Sequence, residues 1–260
     1  MDASKFITAR LVERHDLTHE LSIFRFAPED SDFRFAPGQY ATLGVESDGK
    51  LVERPYSVAS APHETYLEFF VELVPHGRLT PLLFTLTLGS TITVRRRFTG
   101  RFVLDADERT HHLMVATVTG IAPFVSMLRE HFRDVSKQDA RGNGAAMSHH
   151  HFTVIHGASH STDFGLYRAE LSRIETDTGC VKYIPTVSRP HEDAAWRGEV
   201  GRVEDVLRKY ADELPLASST SAAYLCGHPQ MIENARAILQ RARVAPERIH
   251  TEQYFPLPKT

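Results

Sequence analysis

The first ~105 residues alternate between apolar and polar positions with a period of two. Short runs of this kind cover residues 7–15, 19–28, 39–45, 66–74 and 90–98, with turn residues such as Pro37, Gly38 and Gly89 between them. A period of two places successive side chains on opposite faces of a strand. Many short strands at this spacing are typical of an antiparallel barrel or sandwich. The pattern predicts an antiparallel β-barrel at the N-terminus.

From about residue 111 the pattern changes to apolar runs of strand length, each followed by a stretch of helical periodicity. The pairs are 111–117 with 122–132, 151–157 with 165–175, 181–188 with 201–211, and 222–227 with 229–244. Strand then helix, repeated, indicates a parallel sheet with crossover helices. We therefore predict two domains, a β-barrel over residues 1–107 and an α/β nucleotide-binding domain over residues 108–260. Residues 136–151 are expected to form an exposed loop.

Composition narrows the class of protein. The 260 residues are 42% hydrophobic and 24% charged, which suits two mid-sized globular domains. A net charge of −3 argues against nucleic-acid binding, and no apolar run reaches the ~20 residues that span a membrane. The N-terminus lacks the apolar core of a signal peptide, so a cytoplasmic location is expected. Two cysteines, Cys180 and Cys226, exclude a disulfide framework and a four-cysteine iron–sulfur site.

The segment RPYSVAS, residues 54–60, combines a cation, an aromatic ring and two hydroxyls. In a strand, Arg54, Tyr56, Val58 and Ser60 would share one face. That face would offer a guanidinium for phosphate and a flat ring for stacking. On composition alone, a half-exposed barrel strand whose Arg and Tyr cover the surface is the more common explanation.

The same segment resembles the R-x-Y-S motif of the ferredoxin–NADP reductase family. Six further segments resemble motifs of that family in the same order: FAPGQYATL (35–43), HGRLTPLL (76–83), TGIAPFVSML (119–128), VSRP (187–190), YLCGHPQM (224–231) and EQYF (252–255). Each motif alone is weak, but seven in order cover nearly the whole chain. The resemblance is strongest to the bacterial branch, and it implies FAD as the cofactor and NADP(H) as a substrate.

For the flavin, the resemblance implies that Tyr56 stacks on the isoalloxazine ring. Arg54 would pair with the pyrophosphate of FAD, where a guanidinium makes bidentate contacts. Ser57 would hydrogen-bond near N5, and backbone groups of Val71 and Leu73 would contact the polar edge of the ring.

The segment HGRLT is expected to form the flavin-phosphate loop, with contributions from Gly77, Leu79 and Thr80. Gly77 would let the backbone approach phosphate, and the Thr80 hydroxyl would donate to it. The apolar residues 81–86 that follow are predicted to be helical, and the positive end of that helix would add to phosphate binding.

For the nicotinamide nucleotide, the resemblance implies that Thr119 and Gly120 begin a turn whose backbone N–H groups bind pyrophosphate. Here the sequence departs from the family, which usually has G-T-G where this chain has Val118. If the family glycine permits a positive φ, a β-branched residue conflicts with it.

Two arginines are expected to hold the adenosine 2′-phosphate: Arg189, beside Ser188 in the S-R segment, and Arg202. Since a phosphate dianion requires cations, this pair favours NADPH over NADH. A third position that is often arginine in the family is Ser159 in this chain. A solvated surface charge is the alternative for each arginine.

Near the C-terminus, the resemblance places Cys226 and Gly227 beside the nicotinamide. Glu252 would complete a catalytic polar set with Ser57 and Cys226. A buried structural cysteine is the common alternative for Cys226. The tail is expected to return to the flavin, with Tyr254 covering its ring on the face opposite Tyr56, and with Phe255 beside it. The adjacent histidines at 111–112 and 149–151 would point to opposite strand faces, so no metal site is predicted.

These features predict a monomeric FAD enzyme that exchanges electrons between NADPH and ferredoxin or flavodoxin. The reductase component of an oxygenase or a free-flavin reductase uses the same scaffold and stays an alternative. A flavin-binding electron-transfer subunit that no longer uses NADPH is another, supported only by Val118.

Overall fold

The computed structural model describes residues 3–30, 33–105, 110–133, 149–216 and 219–254. The chain divides into two compact units, Met1–Leu104 with Ala122–Phe132, and Asp105–Ile121 with Arg133–Thr260. Most of the loop expected at 136–151 lies outside the described residues.

The first unit is built on one antiparallel sheet. Its strands are β1 (Phe6–Asp16), β2 (Leu21–Pro28), β3 (Tyr40–Ser47), β4 (Lys50–Ser57), β5 (Leu67–Glu72) and β6 (Thr91–Arg95), in the order β4-β3-β6-β1-β2-β5. Two helices accompany the sheet, α1 (Thr80–Phe84) and α2 (Ala122–His131). The curled, barrel-like sheet confirms the antiparallel N-terminal fold.

The period of two in the sequence corresponds to burial on one face of the sheet. In β1, Ile7, Ala9 and Leu11 are buried while the residues between them are exposed. A cluster of aromatic side chains from β2 and β5 fills the centre, with Phe24, Phe26 and Phe69 almost fully buried. Burial of such rings provides most of the free energy that holds a small sheet together.

Helix α2 is attached to the first unit by polar contacts. The Ser126 hydroxyl donates to the Ser60 carbonyl at 2.7 Å. Arg129 Nη1 lies 2.9 Å from Glu68 Oε1, and Arg25 Nε lies 2.6 Å from Glu68 Oε2. The Glu68 side chain is fully buried, so both arginines are needed to compensate its charge. The sequence-based boundary at 107/108 had assigned this helix to the other domain.

The second unit contains a parallel sheet. Its strands are β7 (His111–Thr117), β8 (His151–Ala158), β9 (Val181–Val187), β10 (Glu199–Val200), β11 (Ser221–Gly227) and β12 (Ile249–Gln253), in the order β10-β9-β8-β7-β11-β12. The helices are α3 (Leu166–Thr178), α4 (Val203–Tyr210) and α5 (Pro229–Arg241). Each neighbouring strand pair is parallel. The structure confirms the α/β architecture.

The central strands of this sheet are buried on both faces. Strand β11 is buried at every position, and β7 at five consecutive positions, as expected of parallel strands covered by helices. Within the described ranges, no helix is long and apolar enough to cross a lipid bilayer.

Candidate functional site

Strand β4 carries Arg54, Tyr56 and Ser57. Arg54 is exposed, Tyr56 is half-buried against the barrel core, and Ser57 is buried. Burial raises the pKa of Tyr56 to about 12, so its phenol stays protonated at neutral pH. The strand ends at Ser57, and Val58 and Ser60 beyond it are both buried. The alternation expected of a strand therefore applies to Arg54 and Tyr56 and does not extend to Val58 and Ser60.

The loop before α1 is closed by its own polar groups. The Thr80 hydroxyl donates to the Val74 carbonyl at 3.1 Å and accepts from the Val74 N–H at 2.9 Å. A Cβ on Gly77 would lie 2.9 Å from the Val74 carbonyl oxygen. In this structure the hydroxyl proton of Thr80 is used within the loop, so its expected donation to phosphate would require that hydroxyl to turn. Leu79 is a core residue, and α1 is only one turn long.

The backbone of β5 also departs from the expectation. The Leu73 N–H donates to the Glu20 carbonyl at 2.7 Å, and Val71 pairs with Ser22 in the same ladder. Alternate residues of a strand direct their backbone groups to the same edge. Those of Val71 and Leu73 therefore point toward β2, so the predicted backbone contacts from these two residues to a flavin are wrong.

In the second unit, the predicted nucleotide residues follow the carboxyl ends of parallel strands. In chain order they are Thr119 and Gly120 after β7, Ser188 and Arg189 after β9, and Arg202 after β10, while Cys226 and Gly227 are the last residues of β11. Because the strands are parallel, these ends share one edge of the sheet. In open α/β sheets, ligands bind at this edge.

The turn after β7 is a short 3₁₀ segment, Val118–Ile121, that leads into α2. Val118 has φ of +42°, in the left-handed region that β-branched residues rarely adopt. The suspected conflict is therefore present in the backbone: the turn keeps the conformation that favours glycine, although the residue is valine.

Gly120 and Gly227 allow two turns to come together. A Cβ on Gly120 would lie 2.3 Å from the Cys226 carbonyl oxygen, and one on Gly227 would lie 2.2 Å from Thr117 Oγ1. Gly227 also has φ of +130°. Thr117 Oγ1 accepts the His228 N–H at 2.9 Å, which fixes the two turns side by side. Both positions therefore require glycine for packing as well as for any close approach of a nucleotide.

Arg189 and Arg202 are both exposed at this edge. The Arg189 N–H donates to the Ser159 carbonyl at 3.1 Å, and the Gly201 N–H donates to the Val187 carbonyl at 2.9 Å. These bonds hold the two arginine-bearing segments against the end of β9. Within the described ranges, neither guanidinium makes a hydrogen bond or ion pair. Glu192, the carboxylate near Arg189, is hydrogen-bonded to His160 at 2.8 Å.

Cys226 and Glu252 are register partners on β11 and β12, so the structure brings these two residues together. Ser57 belongs to the other unit. Burial raises the pKa of the Cys226 thiol well above its usual range, and the Glu252 carboxylate adds to that rise. The thiol is therefore protonated at neutral pH and serves as a hydrogen-bond donor rather than a nucleophile.

Tyr254 contacts the turn that follows β7. Its hydroxyl donates to the Thr119 carbonyl at 3.1 Å, and the Cys226 thiol donates to the same hydroxyl at 3.4 Å. This three-residue contact could not be found from sequence spacing, since its members are more than 25 positions apart. Phe255 lies outside the described residues.

The histidines at the opposite end of the sheet form two pairs. His111 stacks on His151 at 5.5 Å, and His112 Nε2 lies 2.9 Å from His150 Nδ1. The described part of the chain brings together no group of three or more His, Cys, Asp or Glu residues that could hold a metal ion.

The residues of β4 fit a flavin dinucleotide. Among described residues, the Arg54 guanidinium has one hydrogen bond, to the neighbouring Glu53 carbonyl at 2.7 Å, and no acidic partner. A cation available for diphosphate and a half-buried ring available for stacking thus lie two residues apart on one strand. The chemistry of this set suits FAD better than that of the loop around Thr80.

Comparison with known proteins assigns FAD binding to the N-terminal part of the chain and nicotinamide-nucleotide binding to the C-terminal part. The profile of the oxidoreductase FAD-binding domain family matches residues 8–103, and that of the oxidoreductase NAD-binding domain family matches residues 114–237. The chain is 24% identical to a ferredoxin NADP⁺ reductase from Neisseria gonorrhoeae solved with bound FAD and NADP. The two share a fold, with a TM-score of 0.77 over 96% of this chain and 99% of that one.

Two relatives of known name are closer in sequence. The ferredoxin–NADP reductase of Pseudomonas aeruginosa is 30% identical over 252 residues, which cover 91% of this chain and 90% of that protein. The flavodoxin/ferredoxin–NADP reductase of Shigella flexneri is 31% identical over 205 residues, or 78% of this chain and 77% of that protein. The chain therefore belongs to the flavodoxin/ferredoxin–NADP reductase family, and it is an oxidoreductase with an FAD-binding domain and a nicotinamide-nucleotide-binding domain.

Proposed function

We propose that this enzyme exchanges electrons between NADPH and a one-electron carrier protein, ferredoxin or flavodoxin. The first unit binds FAD through Arg54 and Tyr56, and the second binds NADPH along the carboxyl edge of its sheet. FAD, when bound, supplies an atom that accepts hydride and couples two-electron to one-electron transfer. The protein binds and orients both nucleotides.

The observation that carries this proposal is the pair of exposed arginines at the sheet edge. Arg189 and Arg202 follow neighbouring strands, and among the described residues neither guanidinium makes a hydrogen bond or ion pair. Two exposed cations on neighbouring segments of one sheet edge suit a phosphate dianion. NADPH carries such a group on its adenosine ribose and NADH does not, so this edge favours NADPH.

The residues at the nicotinamide end are suited to orientation rather than to proton transfer. Cys226 is buried and protonated, and its thiol donates to Tyr254. The adjacent Glu252 raises the pKa of the thiol further, so the pair does not supply a thiolate. Hydride transfer needs no protein acid or base, which is consistent with this set. The choice of ferredoxin or flavodoxin is supported by the names of the relatives.

The test uses purified protein loaded with FAD under anaerobic conditions. Stoichiometric NADPH should bleach the flavin absorbance promptly, and NADH should do so more slowly. Cytochrome c reduction should then rise several-fold when ferredoxin or flavodoxin is added. If NADPH does not bleach the flavin, the protein does not use this nucleotide. If neither carrier accelerates the reaction while free FMN does, the carrier-protein part of the proposal is wrong.

A further inference from the structure

The carbonyl group of Val118, whose backbone is strained, is hydrogen-bonded to a buried histidine. His156, on β8, is fully buried, and its Nε2 lies 2.9 Å from the Val118 carbonyl oxygen. A carbonyl can only accept, so this nitrogen carries the proton. Nδ1 lies 3.2 Å from the Tyr183 hydroxyl and must accept from it. The two contacts together fix one neutral tautomer of the imidazole.

The surroundings of His156 keep the ring in place. Phe164 meets it edge-on, with ring centroids 4.9 Å apart, and Trp196 packs on Phe164 at 5.6 Å. The Val118 side chain packs against the same cluster. Burial lowers the pKa of His156 to about 4, so the imidazole is neutral at neutral pH. Both its tautomer and its position are therefore defined by contacts within the second unit.

The hydrogen bond has a consequence for the next residue. In a trans peptide the C=O and N–H groups point in opposite directions. Fixing the Val118 carbonyl toward His156 thus directs the Thr119 N–H away from it. A valine with negative φ would rotate this peptide plane and lose the bond. We therefore expect the left-handed conformation of the turn and the histidine contact to depend on each other.

We propose that His156 is a positioning residue for nicotinamide-nucleotide binding, because it holds the Val118–Thr119 peptide in the orientation that the turn needs. The inference rests on the proposed function, since that function assigns the turn to the nucleotide. In this chain a side-chain hydrogen bond takes the role that a glycine would fill through its conformational freedom. The need for His156 should accordingly disappear when residue 118 is glycine.

The experiment uses two variants of similar size. His156→Gln places an amide N–H near the position of Nε2 and can keep the bond to Val118. His156→Asn is shorter, reaches only the position of Nδ1, and loses that bond. Each is made in the native protein and in Val118→Gly, and each is loaded with FAD. NADP⁺ and adenosine 2′-monophosphate, which lacks both phosphates of the pyrophosphate as well as the nicotinamide, are titrated by calorimetry.

His156→Asn should weaken NADP⁺ binding about tenfold, as expected for one lost positioning contact, and His156→Gln should weaken it less than about threefold. In the Val118→Gly protein, the effect of His156→Asn should fall below about threefold, which gives a measurable coupling between the two sites. Binding of the 2′-monophosphate should change less than about twofold in all variants, because it has no group for the pyrophosphate position.

Three results would overturn the inference. One is an equal loss of NADP⁺ affinity for His156→Asn with Val118 and with glycine, which would indicate a purely structural histidine. Another is a parallel loss for adenosine 2′-monophosphate. The third is unchanged NADP⁺ affinity in His156→Asn. If the unsubstituted protein binds neither ligand, the proposed function fails instead. In that case, the free energies of unfolding in urea of the single and double variants at positions 118 and 156 still test whether the histidine holds the turn.

Discussion

Protonation of His156 should make the protein less stable in mildly acidic solution. The folded pKa is about 4, and the ordinary value is 6.5. Between these values the unfolded chain binds a proton that the folded protein excludes, so the free energy of unfolding falls as pH falls. The full difference corresponds to about 3 kcal/mol, and about 2 kcal/mol of it should be lost between pH 7.5 and pH 5.

The assay is urea unfolding of the FAD-loaded protein at pH 7.5 and pH 5.0. Trp196 is the only tryptophan in the chain and is buried next to Phe164, so its fluorescence reports on the His156 cluster. The control is His156→Gln, which removes the titrating group. The unsubstituted protein should lose about 2 kcal/mol more than this variant over the interval.

Other groups contribute little to that comparison. The carboxylates with lowered pKa, such as Glu13 and Glu199, lose their stabilising effect as pH falls below their unfolded value of 4.5, which lies under the interval. His111, whose pKa is lowered by burial and by His151, acts equally in both proteins. If the two proteins lose the same free energy between pH 7.5 and pH 5, the buried imidazole accommodates a proton, and the reasoning about its tautomer is wrong.

Three further predictions concern other parts of the molecule. Arg189→Ala should raise KM for NADPH about ten- to a hundredfold and KM for NADH less than about twofold, as expected for one charge-assisted contact; equal changes would mean that Arg189 does not touch the 2′-phosphate. Tyr254→Ser should tighten NADP⁺ binding and relax discrimination against NADH, with Tyr254→Phe as a control that keeps the ring; unchanged affinities and flavin spectrum in the serine variant would refute this. Glu68→Gln should lower the free energy of unfolding by about 3 kcal/mol, since it leaves two arginines around a neutral side chain, whereas Glu53→Gln, in a partly exposed ion pair with Arg95, should cost under about 1 kcal/mol; similar losses would contradict the buried network.

Much of the fold could be predicted because burial follows simple periods. Alternation in β1 and unbroken apolar runs in β7 and β11 correspond directly to one-sided and two-sided burial. The β3–β4 hairpin was not predicted, although Asp48 and Gly49 at its tip both have positive φ and form a recognisable turn signal. Strand β12 has half-exposed and exposed residues only, so hydrophobic pattern gave no indication of it.

The candidate site could be predicted only where residue type decides the chemistry. Arg54, Tyr56, Arg189 and Arg202 are exposed or half-buried, which leaves them accessible to a ligand. For Thr80, the sequence does not show that its hydroxyl donates to the Val74 carbonyl.

Leu73 failed for a related reason. A shift of one residue along a strand reverses the edge to which its backbone groups point. His156 was missed altogether, because a histidine within an apolar strand gives no sign of which carbonyl it contacts.

The assignment of α2 to the first unit limits how the protein can be recombined. Its two units are joined at 104/105, 121/122 and 132/133, so no single break in the chain separates them. A chimaera made with one junction after residue 104 would pair a foreign helix with the native Glu68, or the native Arg129 with a foreign barrel. Grafting a new nucleotide specificity onto this scaffold therefore calls for three crossovers, with residues 122–132 retained alongside the native barrel.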